Sequence, residues 1–204
     1  MELITFDGQS ASGKKTHTAR LISELDAEIA NNTILTQVLH IVGMMPTLKL
    51  VVWPCMFSLA YEVDWKNRGI IVQNTFWRWF IDLFTWNRKI DLNRREKIMD
   101  SIDTLLLTIS EDIFPTCSFY LDLGIYEAKL RFIRRELQAQ DLEGVPDINI
   151  EGLQPSGETL RKEREQRKIV EWLANRYDFF HVIDASQEED KVFEEILSIT
   201  KRAL

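Results

Sequence analysis

Apolar and polar residues follow one another along this chain as short strands separated by amphipathic helices. Leu3, Ile4 and Phe6 make an apolar run suited to a buried strand, and Ala19, Leu21, Ile22 and Leu25 recur at helical spacing soon after it. The spacing predicts a first helix from Gly13 or Lys14 to about Leu25, then a second strand through Thr33, Ile34, Leu35 and Thr36. From Ile41 to Trp65 the chain is unusually apolar and is interrupted by Pro46 and Pro54, so a helix kinked at Pro54 is expected. Asn67-Arg68-Gly69 is a turn, and Ile70-Ile71-Val72-Gln73 is the compact β-branched run of a buried parallel strand.

Thr75 to Trp86 places Phe76, Phe80, Leu83 and Phe84 on one helical stripe, with Trp77, Trp79 and Trp86 on other faces. Two explanations stand: a helix inside the core, or a surface that meets another subunit or a stacked base. Asp91 to Ser110 reads as a long helix with Ile98, Ile102, Leu105, Leu106 and Ile109 in register. Pro115 precedes a third clear strand, Cys117 to Asp122, and Gly124 opens onto a helix carrying Arg131, Arg134 and Arg135. Those arginines share a helical face, which suits several phosphate oxygens and equally suits ion pairs with Glu127 or Glu136. Residues 141–157, rich in Asp, Gly and Pro, read as a mobile loop, and 136–157 is the candidate lid. Ser156-Gly157-Glu158-Thr159 leads into a charged helix through about Asn175, whose expected buried side is Leu160, Ile169, Val170, Trp172 and Leu173. Phe179 to Asp184 is the last strand, and Ser186 is placed to cap a closing helix from about Glu188 to Lys201. This alternation implies one α/β domain over 1–204, in three layers, with a largely parallel central sheet flanked by helices. Ligands then lie at the carboxyl ends of the strands.

Composition narrows the partners. At 204 residues and 45% hydrophobic, the chain can bury a sizeable core. The balance of 25 basic against 32 acidic residues, net −7, argues against a general nucleic-acid or anionic-membrane binder. Cys55 and Cys117 are far apart and lack metal-ligand spacing, which fits a reduced, cytoplasmic protein. His17, His40 and His181 form no ligand pattern. The start shows no charged-then-apolar leader, and Pro, Lys or Asp interrupts the apolar tracts, so neither a secretion signal nor a membrane span is expected.

The chemistry-bearing stretch joins the first strand to the first helix: Phe6-Asp7-Gly8-Gln9-Ser10-Ala11-Ser12-Gly13-Lys14-Lys15-Thr16. Gly8, four residues, Gly13 and Lys14 match a phosphate-binding loop, in which glycines let N–H groups close on phosphate oxygens and the lysine reaches the outer phosphates. Candidate cofactor-binding residues are therefore Gly8, Ser10, Ala11, Ser12, Gly13, Lys14, Lys15 and Thr16. One position departs from the pattern. Lys15 stands where a Ser or Thr hydroxyl would ligate Mg²⁺, and a protonated ammonium is no metal ligand, so a metal site is left unassigned.

With these segments in order, the chain resembles the thymidylate kinase group of nucleoside monophosphate kinases, within the P-loop NTPases. Phe6-Asp7-Gly8 through Thr16 resembles that group's phosphate loop, Pro115 to Asp122 its Pro-x-x-x-x-Tyr-Leu-Asp strand, and His181 to Ser186 its terminal strand and adenine-side loop. Arg131 to Arg135 occupy the place of its arginine-bearing lid. The resemblance implies an ATP-dependent phosphotransferase acting on a nucleotide or related small molecule, with Lys14 and an arginine among Arg134 and Arg135 as catalytic residues. It further implies Thr16 near the inner phosphate, Ala185 on the adenine side and Mg²⁺ with the ATP, for which Asp7 or Asp122 are the candidate holders. The partners expected are a nucleoside triphosphate, a small-molecule acceptor and a second copy of the chain in a homodimer. Departures fall on the chemistry: Asn74 and Thr75 replace the group's Asp-Arg pair, Ser10 its loop acid, and Trp53 falls near its phosphate-holding arginine. The alternative function is therefore a catalytically degenerate homodimer that binds a nucleotide or phosphate and acts by binding.

Overall fold

A strand that starts at the third residue lies in the middle of the sheet. The computed structural model describes residues 3–25, 28–29, 70–73, 76–86, 90–109, 114–139 and 154–204, and elements are numbered over these. Strand β1 (Leu3–Gly8) pairs in parallel with β3 (Ile70–Gln73) on one side and with β4 (Cys117–Asp122) on the other. The two-residue β2 (Glu28–Ile29) continues the sheet beyond β3, and β5 (Phe180–Asp184) continues it beyond β4, giving five parallel strands in the order β2-β3-β1-β4-β5. From β1 the chain leaves for one flank and later crosses back to β4. The carboxyl end of β1 therefore lies where the strand order reverses, the usual seat of a ligand in such sheets.

The expected alternation of strands and helices is borne out. Helices are α1 (Lys14–Leu25), α2 (Phe76–Trp86), α3 (Leu92–Ile109), α4 (Ile125–Ala139), α5 (Gly157–Arg176) and α6 (Glu189–Ala203). Strand β4 shows why its sequence is apolar at nearly every position: successive side chains point to opposite faces, and both faces are covered. Cys117, Phe119 and Leu121 join Ile4 and Phe6 of β1, Leu21 of α1 and Val192, Phe193 and Ile196 of α6 in one core. Tyr120 faces the other way, into Trp77, Phe80 and Phe84 of α2, Met99 and Ile102 of α3, and Ile169, Val170 and Leu173 of α5. The layers are thus α1 and α6 on one face and α2, α3 and α5 on the other. For Trp77, Phe80, Ile81 and Phe84, each buried, the choice between core and outward surface falls to the core.

Two local expectations are corrected. Leu160 is not on the buried side of α5 but 43% exposed, because it lies in the first turn, six residues before Gln166 opens the buried face and out of line with it. Ser186 does not cap the closing helix. Its hydroxyl and its N–H both donate to the Asp184 carboxylate, at 2.6 and 2.9 Å, and α6 begins at Glu189 after Glu188 with no side-chain cap. An acid two residues before a serine offers it this local bond in competition with the helix end. Ser156 does cap α5, accepting from the Thr159 N–H at 3.2 Å. The expected strand at 33–36, the kinked helix at 41–65, Asn74 and Thr75, and residues 140–153 of the candidate lid lie outside the described residues, while 136–139 belong to α4. Among the described residues no helix is long and apolar enough to cross a membrane.

Candidate phosphate-binding site

Strain marks the turn between β1 and α1. Gly8 has φ 137°, Ala11 60° and Gly13 90°, so three of the six residues from 8 to 13 adopt a conformation that side chains disfavour. Ala11 is the one non-glycine with positive φ among the described residues. At Gly8 the demand is steric as well, since a Cβ there would stand 2.5 Å from the Leu121 carbonyl oxygen of β4. At Gly13 it would stand 2.9 Å from Nε2 of His17. Backbone held this way turns successive N–H groups into an anion-binding hollow, and the N-terminus of α1 adds its positive dipole end.

The side chains around the hollow have bonding capacity to offer. Lys14 folds back and donates from Nζ to the carbonyl oxygens of Gly8 at 3.0 Å and Gln9 at 2.6 Å. Ser12 is buried, and its Oγ has no hydrogen-bond partner; the same holds for Nδ1 of His17 and Oγ1 of Thr18. Buried polar atoms are ordinarily satisfied, and three of the four such atoms among the described residues fall within seven residues of chain at this corner, the fourth being Oγ1 of Thr200 on α6. His17 stacks on Phe193 of α6 at 6.3 Å, and burial pushes its pKa below the ordinary imidazole value. Arg20 lies over the same ring at 4.0 Å and pairs with Asp190 at 2.8 Å, fixing α1 to α6 behind the loop.

The loop is also tied to the opposite layer. Gln9 donates from Nε2 to Oε1 of Gln166 on α5 at 3.0 Å, and Gln166 donates from Nε2 to the Tyr120 hydroxyl at 2.7 Å. One turn of the same helix meets the end of β4: Arg167 pairs with Asp122 at 3.2 Å, and Glu163 accepts from the N–H of Ile125 at 3.3 Å. The amide of Ala185, at the end of β5, donates to the Asp122 carbonyl at 2.9 Å. Gln166 and Arg167 were not singled out from the sequence. They sit in a charged run, Arg161 to Lys168, that reads as a solvated face, and the available signal was the helical offset that puts 166 in line with Ile169, Val170 and Leu173.

The expected residues divide. Gly8, Ser10, Ala11, Ser12, Gly13, Lys14, Lys15 and Thr16 run from the end of β1 through the turn into the start of α1, with Lys15 and Thr16 exposed, and Ala185 is buried just after a strand that closes the same edge of the sheet. Helix α4 approaches the loop through a cavity of about 450 Å³ lined by Gln9, Ser10, Ile125, Ala128, Lys129, Phe132 and Ile133. Arg134 and Arg135 follow directly on that lining and are exposed. Arg135 lies 3.7 Å from Glu136 and over the Phe132 ring at 5.2 Å, and Arg131 pairs with Glu127 at 3.1 Å, so two of the three arginines make the ion pairs weighed from the sequence.

A triphosphate fits these residues: the strained turn, the unpartnered Ser12 hydroxyl and the Lys14 ammonium are all acceptor-seeking. Direct coordination of Mg²⁺ by the loop does not fit. Lys15 supplies no oxygen where the pattern has a hydroxyl, and of the two candidate holders of a hydrated Mg²⁺ Asp122 is engaged by Arg167 and Asp7 is buried at the end of β1. Cys117 is no nucleophile, since burial pushes its thiol up to about 11.

No family model matches the chain. It is 23% identical over 214 residues to a protein named probable thymidylate kinase 1 from Saccharolobus solfataricus, an alignment spanning 100% of this chain and 98% of the relative. Among solved structures, deoxyadenosine kinase from M. mycoides with bound dCTP matches at TM-score 0.55 and 15% identity, covering 98% of this chain and 99% of that one. The same enzyme with bound dATP matches at TM-score 0.55 and 18% identity, covering 96% and 97%. The chain therefore shares its fold with these kinase structures in a divergent form, and its likeness to the thymidylate kinase relative runs along its whole length.

Proposed function

We propose that this divergent P-loop kinase-like chain is an ATP-dependent phosphotransferase that moves the terminal phosphoryl group of ATP to a nucleotide or related small molecule. The observation that carries the reading is the loop itself, with Gly8, Ala11 and Gly13 held at positive φ and Lys14 resting on two main-chain oxygens. A phosphate oxygen offers Lys14 an anionic acceptor in place of neutral carbonyls, which adds the attraction of opposite charges to the hydrogen bond. In the reaction an acceptor oxygen bonds to the γ-phosphorus while the bond to the β-phosphate oxygen breaks. ADP leaves, and the acceptor's proton passes to solvent or to a phosphate oxygen. The chain's contribution is positioning and charge neutralisation: Lys14 on the outer phosphates, Thr16 near the inner one, and Arg134 or Arg135 closing from α4. Mg²⁺, where it accompanies ATP, would supply further neutralising charge.

The acceptor class rests on the relatives, which are named for kinases of thymidylate and deoxyadenosine, and on a cavity beside the loop large enough for a small molecule. A coupled ADP-release assay over deoxynucleosides, nucleoside monophosphates and other hydroxyl acceptors tests it. Turnover is expected with at least one acceptor and should vanish in Lys14→Ala. Nucleotide binding without turnover on any acceptor would instead favour the binding protein that Lys15 suggests.

A further inference from the structure

Gln166 is a carboxamide on the core-facing side of α5, 8% exposed, in line with Ile169, Val170 and Leu173. Packing alone would be served there by Met or Leu, without the cost of removing an amide from water. Both ends of the amide are bonded instead: Oε1 accepts from Gln9 at 3.0 Å, and Nε2 donates to the Tyr120 hydroxyl at 2.7 Å. Tyr120 is 2% exposed in the middle of β4, the strand paired with β1, and is therefore a fixed post. Gln9 is the opposite kind of residue. It follows directly on the strained Gly8, its carbonyl holds Lys14 at 2.6 Å, and its side chain lines the cavity beside α4.

We propose that Gln166 is a positioning residue for nucleotide binding, transmitting the fixed place of Tyr120 to Gln9 and so setting where the Lys14 ammonium stands. This rests on the loop binding a triphosphate, as proposed above. Without the carboxamide the first turn of the loop loses its tie to α5, and Lys14 must be ordered each time a triphosphate arrives. Ground-state affinity is then the quantity that falls. The test is calorimetric titration of ATP into Gln166→Met, with melting temperature measured alongside. Dissociation constants should rise about tenfold. Gln9→Met should do the same, and the double variant should be no worse than either single one, because one chain of bonds is broken only once. Should Gln166→Met fail to fold, Tyr120→Phe cuts the same chain at its far end and should weaken ATP about threefold. Equal affinity in the unaltered protein and in these variants, or effects of Gln9→Met and Gln166→Met that simply add, would overturn the proposal while leaving the loop's function intact. No binding by the unaltered protein would overturn both.

Discussion

Two polar clusters at opposite edges of the sheet are built in opposite ways. At the amino edge, where α5 runs into β5, Arg176 is fully engaged: it pairs with Glu96 at 2.6 Å, with Asp100 at 2.7 Å and with Asp103 at 2.7 Å, and donates to the Tyr177 hydroxyl at 3.0 Å. Tyr177 in turn donates to Asp103 at 2.7 Å, and burial followed by that bond pushes its pKa far above the ordinary phenol value. At the carboxyl edge, Ser12, His17 and Thr18 keep buried atoms without partners, and the strained turn at 8–13 holds Lys14 on carbonyls that a phosphate could replace. A saturated cluster braces helices, whereas an unsaturated one awaits a ligand.

Variants at each edge should therefore separate binding from stability. Gly8→Ala should have the largest effect. It forces a Cβ against the Leu121 carbonyl at a φ that alanine rarely adopts, costing about 3 kcal/mol or more of stability together with nucleotide binding, which denaturant unfolding and ATP titration would report. Next, Arg176→Met should remove about 2 kcal/mol of stability by leaving Asp103 and Glu96 without their cation, with ATP affinity unchanged. A matching loss of affinity would break the comparison. Lys15→Ser supplies an oxygen after Lys14 and should make ATP affinity about fivefold more dependent on Mg²⁺ than in the unaltered protein, as titrations with and without a chelator would report. The smallest effect concerns pH. Burial lowers the pKa of His17 in the folded state, so the unfolded chain takes up the proton first; stability is complete above about pH 6.5 and declines as pH falls below it. His181 is shifted the same way by burial and by Arg202, so His17→Leu should flatten that decline only in part in unfolding measurements from pH 7 to 5.

Much of this was legible in the chain because it depends on short-range patterns. The phosphate loop needs glycines at fixed offsets between a strand and a helix, and Gly8, Gly13 and Lys14 declare it. Strands β3, β4 and β5 were readable as apolar runs, while β2, only two residues long, is too short to show a period. What escaped depends on who meets whom across the fold. Gln166 becomes special only because Gln9 and Tyr120, 157 and 46 residues away, come to its two ends. Arg167 likewise gains its meaning from Asp122. Ser186 was misread for a related reason: two local partners competed, and the Asp184 carboxylate won over the helix end.

The placing of β1 has a consequence for how the protein is made. Residues 3–8 are made before their neighbours at 70–73 and 117–122, which follow only after long stretches of further synthesis. The central strand must wait, apolar and without those neighbours, until residues 117–122 have emerged, and closing such distant pairings is slow. Newly synthesised chains should therefore depend on chaperones until the strand at 117–122 has been released.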